Sequence, residues 1–293
     1  MLKGTLMSME DMKKTGDALA AYMQNLKAEG YTAVYVTLKD ESGVISYSTA
    51  NEMALKYGAV SKEPVDLDGI VAAAQSAGLA PVARISALKD PLAAHVKNGN
   101  SYGYNNSPDV NWLDDSPKNG GKAWLNPYME NARKYIADLC KEASAKGFQT
   151  IVLENVTFPL KNTSQMGTLN EFTTRDQILG RLVSEAQTAA GDARVFAAFD
   201  VRMLAEQGPN YILALGRNLA PVMDQEAAEA KRQAIGQKVE SGSGEFTARQ
   251  VLSYMIDRFV QDGGELLPLI PQNSRETAAA VLAEKKMEES ILF

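Results

Sequence analysis

Asp40, Glu154, Asp200 and Asp224 each stand at or just beyond the end of a predicted β-strand. Gathered on one face, such carboxylates suit glycoside hydrolysis. That reaction needs two carboxyl groups beside the scissile bond, one to donate a proton and one to act as nucleophile or as base for water. Glu154 and Asp200, on consecutive strands, form the first-choice catalytic pair, with Glu154 as acid or nucleophile. Asp40 and Asp224 would tune that pair or hold sugar hydroxyls, and Asn155, next to Glu154, joins them as a substrate-binding residue. The competing role for each carboxylate is a helix cap or a turn former.

Other chemistries have little to draw on. His95 is the single histidine and Cys140 the single cysteine. That excludes an intramolecular disulfide and any zinc site built from several His or Cys ligands. A Ser-His-Asp or Cys-His centre could use only His95, which reads as an exposed loop residue. Cys140 reads as a helix core residue, and the methionines as core filler. No metal and no cofactor is implied. Arg84 and Lys89, on the loop side of the third strand, either pair with Asp40 or Asp90 or bind substrate. Tyr102, Tyr104, Trp112 and Trp124 either stack on sugar rings or pack their own loop.

Positioning these residues requires a scaffold, and the chain alternates short β-type runs with longer helical patterns. That alternation predicts a parallel sheet with crossover helices. Strands are expected at 2–7, 32–38, 80–86, 150–154, 194–200, 219–224, 265–270 and 290–293. Helices are expected from Ser8 up to the stop at Gly30, over 65–77, 127–146, 173–190, 202–207 and 247–261, and after a cap at Ser274. The polar segment 225–246 begins helically and then becomes the flexible run Ser241-Gly242-Ser243-Gly244. Eight strands in this order predict one α/β domain spanning 1–293, a (β/α)8 TIM barrel. Its 293 residues are close to the roughly 250 typical of that fold. Long loops follow strands two, three, four and six, on the same face as the carboxylates. In such barrels function sits on that face.

The net charge of −6, without a basic run, argues against a nucleic acid or an anionic membrane surface as partner. No stretch approaches the roughly 18 apolar residues of a membrane-spanning helix, and the N-terminus lacks the apolar core of a signal peptide. Strand one begins almost at once. A longer native chain with an export signal, placing the protein outside the cytoplasm or at the cell surface, is therefore an open expectation. Nothing in the sequence sets the oligomeric state.

Several segments resemble a glycosyl hydrolase domain family long catalogued as a domain of unknown function. Its K-D-D-S-G motif reads here Lys39-Asp40-Glu41-Ser42-Gly43. Its A-R-I segment followed by F-K-D-P reads Ala83-Arg84-Ile85 and then Leu88-Lys89-Asp90-Pro91. Its W-x-N/D-P-Y element reads Trp124-Leu125-Asn126-Pro127-Tyr128, and its F-D-Y-V-R-F-P strand end reads Leu153-Glu154-Asn155-Val156-Thr157-Phe158-Pro159. Order and spacing match over roughly residues 2–160, with a thinner likeness at Ala220-Pro221-Val222-Met223. Glu154 stands where the family has Asp, Asn155 where it has Tyr, and Thr157 where it has Arg.

The resemblance implies a glycoside-hydrolase-like barrel acting on a poly- or oligosaccharide. Glu154 and Asp200 would be catalytic; Asp40, Arg84, Lys89, Trp124, Asn155 and Asp224 would bind substrate, and carbohydrate would be the partner. The altered strand-four motif supports a second reading, a non-catalytic carbohydrate-binding or surface-interaction barrel derived from such an enzyme. A phosphate-binding metabolic barrel fits less well, because Pro271-Gln272-Asn273 stands where a glycine-rich phosphate loop would follow strand seven.

Overall fold

A computed structural model describes residues 2–167, 172–239, 246–260 and 263–293. Eight parallel strands form the central sheet: β1 (Lys3–Leu6), β2 (Ala33–Lys39), β3 (Ala80–Ser86), β4 (Thr150–Glu154), β5 (Arg194–Phe199), β6 (Leu219–Pro221), β7 (Leu269–Ile270) and β8 (Ser290–Leu292). They pair in sequence from β1 to β6, and β8 bridges β7 and β1. Between β6 and β7 the contact is reduced to single bridges, Leu219 with Leu266 and Val222 with Leu269. Backbone bonds from Leu219 N to Glu265 O (3.0 Å) and from Met223 N to Leu269 O (2.8 Å) close the seam. The result is a nearly closed (β/α)8 barrel in one domain.

Helices α1 (Gly16–Ala28), α2 (Leu67–Ser76), α3 (Glu130–Ala145), α4 (Arg175–Ala190), α5 (Val201–Gln207), α6 (Pro209–Leu213), α7 (Gln225–Val239), α8 (Ala248–Phe259) and α9 (Arg275–Glu284) occupy the connections. Successive strand residues point to opposite faces. Val34, Val36, Ile151, Leu153, Val195 and Ala197 therefore join the layer between sheet and helices. Ala33, Tyr35, Val82, Val152, Phe196, Ala198 and Ile291 fill the barrel interior as a separate cluster. By the same alternation Arg84, two residues beyond Val82, and Glu154, two beyond Val152, face inward above that cluster.

Several local expectations need correction. The first helix is broken. Ser8 caps a single turn, Met9–Met12, through a bond from Asp11 N to its Oγ (3.1 Å), and α1 restarts at Gly16, whose φ is +52°. The long loop after β2 carries two short strands, Ile45–Tyr47 and Val60–Val65, around a helix, Glu52–Tyr57. The sixth and seventh strands are shorter than expected, and Pro268, which has no N–H to donate, immediately precedes β7. Pro127 lies ahead of α3, not in its first turn. Ser274 occupies the cap position of α9, but its hydroxyl accepts from Gln225 N (2.9 Å) and so ties α7 to the last crossover. The run Ser241–Gly244 and the expected helix end at Gln261 lie outside the described residues.

Candidate active site

Where the strands end, the barrel opens into a cavity of about 480 Å³, within the usual range for ligand pockets. Glu154 and Asn155 from the end of β4, Asp200 from the end of β5, and Lys89 and Trp124 from the β3 loop line it. Two of the four strand-end acids are thus brought together. The other two are not among the lining residues. Asp40 turns its Oδ1 back onto its own loop, accepting from Ser42 N (2.9 Å), Ser42 Oγ (2.6 Å) and Val44 N (3.1 Å). Asp224 caps α7 by accepting from Ala227 N (3.1 Å). For both, the competing cap-and-turn role is the one the side chain performs.

Glu154 is the most constrained group at the mouth. Its Oε1 accepts from Tyr35 Oη (3.1 Å) and Arg84 Nε (2.9 Å), and its Oε2 from Arg84 Nη2 (2.8 Å). Three donors and no acceptor meet it, so it sits as the carboxylate anion in a forked pair. Burial, and then the Glu154 charge, push the Tyr35 hydroxyl well above its ordinary pKa; it stays protonated and donates. Burial opposes the Arg84 charge, but the hydrogen bonds and charge of Glu154 outweigh it and raise the guanidinium further. Arg84 lies within β3 and faces the lumen, so it neither follows the strand nor pairs with Asp40 or Asp90. Where the resembling family has Arg, this chain has Thr157, and Arg84 is the cation that Glu154 meets.

Asp200 has a different environment. Its Oδ1 caps α5 by accepting from Met203 N (2.8 Å), and its Oδ2 lies 3.7 Å from Arg202 Nη1. Two further carboxylates line the cavity that strand-end reasoning passes over. Glu41 pairs with Lys89 (2.7 Å), and Asp114 accepts from the Trp124 indole N–H (2.9 Å) and from Lys122 N (2.7 Å). Trp124 is held by that bond with a small part of its ring on the cavity.

Two of the other loop aromatics are packed away inside their loop. Tyr102 and Trp112 are buried edge to face, with Phe158 close to Tyr102. Trp112 donates to Asn162 O (3.0 Å), knitting the β3 and β4 loops into one wall of the cavity. His95 is exposed and Cys140 is buried in α3. Asn155 adopts a left-handed backbone (φ +54°) and donates to Ser86 Oγ (3.0 Å). Among the described residues no group of three His, Cys, Asp or Glu side chains is placed to hold a metal, and no helix is long and apolar enough to cross a membrane.

The sequence profile of the family described as "Putative glycosyl hydrolase domain" matches residues 5–220. The chain belongs to this family. No curated protein matches it. Among solved structures, the glycosyl hydrolase domain is similar to a hypothetical protein from Ruminiclostridium thermocellum ATCC 27405, at 20% identity and a TM-score of 0.56, over 66% of this chain and 96% of that one. It is also similar to alpha-L-fucosidase isoenzyme 2 from Paenibacillus thiaminolyticus, at 12% identity and a TM-score of 0.59, over 100% of this chain and 46% of that one. A third likeness is to the GH20 exo beta-N-acetylglucosaminidase of Vibrio harveyi, at 10% identity and a TM-score of 0.52, over 92% of this chain and 41% of that one. The domain thus spans less than half the length of either named hydrolase. At these identities the likeness is one of fold.

Proposed function

We propose that this domain hydrolyses glycosidic bonds in a poly- or oligosaccharide, with Glu154 and Asp200 as the reacting carboxylates. The observation that carries the reading is their shared position on one cavity at the strand ends, where barrels of this kind hold their chemistry. Water is added across the bond: the anomeric carbon gains hydroxyl, and the departing sugar oxygen gains the proton. An ionised Glu154 suits the partner that meets positive charge developing at the anomeric carbon. Membership of the glycosyl hydrolase domain family supports the same class of chemistry. Lys89, Asn155 and Trp124 are the substrate-binding residues we assign; Arg84 acts through Glu154, and Asp40 and Asp224 act through the loop and helix they hold.

A second reading, a carbohydrate-binding barrel without turnover, is favoured by one specific observation. All four lining carboxylates, Glu41, Asp114, Glu154 and Asp200, already accept from or pair with protein donors. Screening a glycan panel with wild type and Glu154→Gln separates the two. Under the hydrolase reading, wild type releases product and Glu154→Gln loses at least about a hundredfold in rate. Equal turnover by both proteins removes Glu154 from the reaction. Binding by both without product supports the second reading.

A further inference from the structure

We infer that Tyr35 and Arg84 are positioning residues that fix Glu154 as an anion with Oε2 as the oxygen offered to the ligand. The inference rests on the functional reading above and adds to it which atom reacts and what holds it. A carboxylate has about four lone-pair sites, two on each oxygen. On Oε1 both are filled, by Tyr35 Oη at 3.1 Å and Arg84 Nε at 2.9 Å. On Oε2 one is filled, by Arg84 Nη2 at 2.8 Å. The remaining acceptor site therefore belongs to Oε2, on the one member of this trio that lines the cavity.

The three come from three adjacent strands: Tyr35 from β2, Arg84 from β3 and Glu154 from β4. Tyr35 is fully buried, and its ring belongs to the cluster filling the barrel interior. Its hydroxyl is therefore anchored from below, while the guanidinium grips both carboxylate oxygens from the neighbouring strand. A forked pair fixes direction as well as charge, which a lysine ammonium, a point charge, would not reproduce. Glu reaches one methylene further from the backbone than the Asp of the resembling family, and the two anchors set where that longer side chain ends.

The test uses the whole chain and a glycan that wild type turns over. Tyr35→Phe removes one donor and keeps the ring; kcat is expected to fall about tenfold with KM within about twofold. Arg84→Met is expected to lose about a hundredfold in kcat, and Arg84→Lys to recover part of the rate without restoring it. Should Arg84→Met fail to fold, Tyr35→Phe and Arg84→Lys still decide the question. Wild-type kcat in both, while Glu154→Gln is inactive, overturns the positioning role and leaves the hydrolase reading standing. Turnover by Glu154→Gln at the wild-type rate overturns that reading and this inference with it, as does a wild type that turns over no glycan.

Discussion

Lys39 Nζ lies 2.9 Å from Asp90 Oδ2, and the two side chains are 1% and 0% exposed. The ammonium donates its hydrogen bond to Ser86 O (2.6 Å), and Asp90 Oδ1 accepts from Leu92 N (3.1 Å) and Ala93 N (2.8 Å). One pair thus fastens the end of β2 and the end of β3 to the start of the loop that walls the cavity. Breaking a buried pair leaves a charge without a partner, which costs about 3–5 kcal/mol. Lys39→Met alone is therefore expected to lower stability by that amount in urea unfolding. Lys39→Met with Asp90→Asn, which keeps the acceptor for the two backbone amides, is expected to recover more than half. A double variant as unstable as the single one would refute this account of the pair.

Gly43 belongs to the same clamp. Its φ is +86°, and a Cβ built there would overlap Asp90 Oδ1. A side chain at this position meets both a strained backbone and the buried carboxylate. Gly43→Ala is expected to cost about 3 kcal/mol or more, against about 1–2 kcal/mol for Gly120→Ala, which meets the same backbone strain at comparable φ but has open space around it. Relative thermal midpoints of the two variants check the difference.

The barrel was legible because its signals are local. Runs such as Ala33–Lys39 and Thr150–Glu154 declare strands by composition, and their order declares the sheet. Strands six and seven were placed too, but not how short they are: single bridges beside Pro221 and Pro268 join them. Glu154 and Asp200 could be expected on one cavity because strand ends converge in this fold. Tyr35 could not be linked to Glu154, as 119 residues separate them; only the inward alternation of β2, β3 and β4 would have put Tyr35, Arg84 and Glu154 on one side. Glu41 was passed over for Asp40, because sequence shows that both follow β2 and not which one turns back on its loop. The motif residues Lys39, Asp40, Gly43 and Asp90 explain themselves structurally: they hold loops and stand outside the cavity lining.

Asn155 combines a left-handed backbone with a bond to Ser86 Oγ beside Glu154. Glycine would relieve the φ at the expense of that bond; alanine would lose the bond and keep the strain. Asn155→Gly is expected within about 1 kcal/mol of wild type, and Asn155→Val about 2 kcal/mol or more below it. Chemical unfolding of the two variants tests the order, and an Asn155→Val protein as stable as Asn155→Gly would show that the backbone is not fixed in this conformation.

Cys140 gives a pH dependence whose sign is fixed by burial. Burial raises its thiol from 9.0 to about 12. The folded state therefore keeps its proton where the unfolded chain sheds it. That contribution is complete below the unfolded value and is lost as pH climbs toward the folded one. Above about pH 9 it falls by about 1 kcal/mol per pH unit. Buried tyrosines such as Tyr211, also raised to about 12 by burial, add the same sign of slope as pH nears and passes their ordinary value of 10.0. The tyrosines titrate alike in wild type and Cys140→Ala, so the difference between the two slopes from about pH 8 to 10 isolates the thiol. Cys140→Ala also removes packing, so slopes are compared and not absolute stabilities. Wild type is expected to lose about 1 kcal/mol more than Cys140→Ala across that window in urea unfolding. Parallel slopes would mean that the thiol titrates alike in both states, and that α3 does not seal it from water.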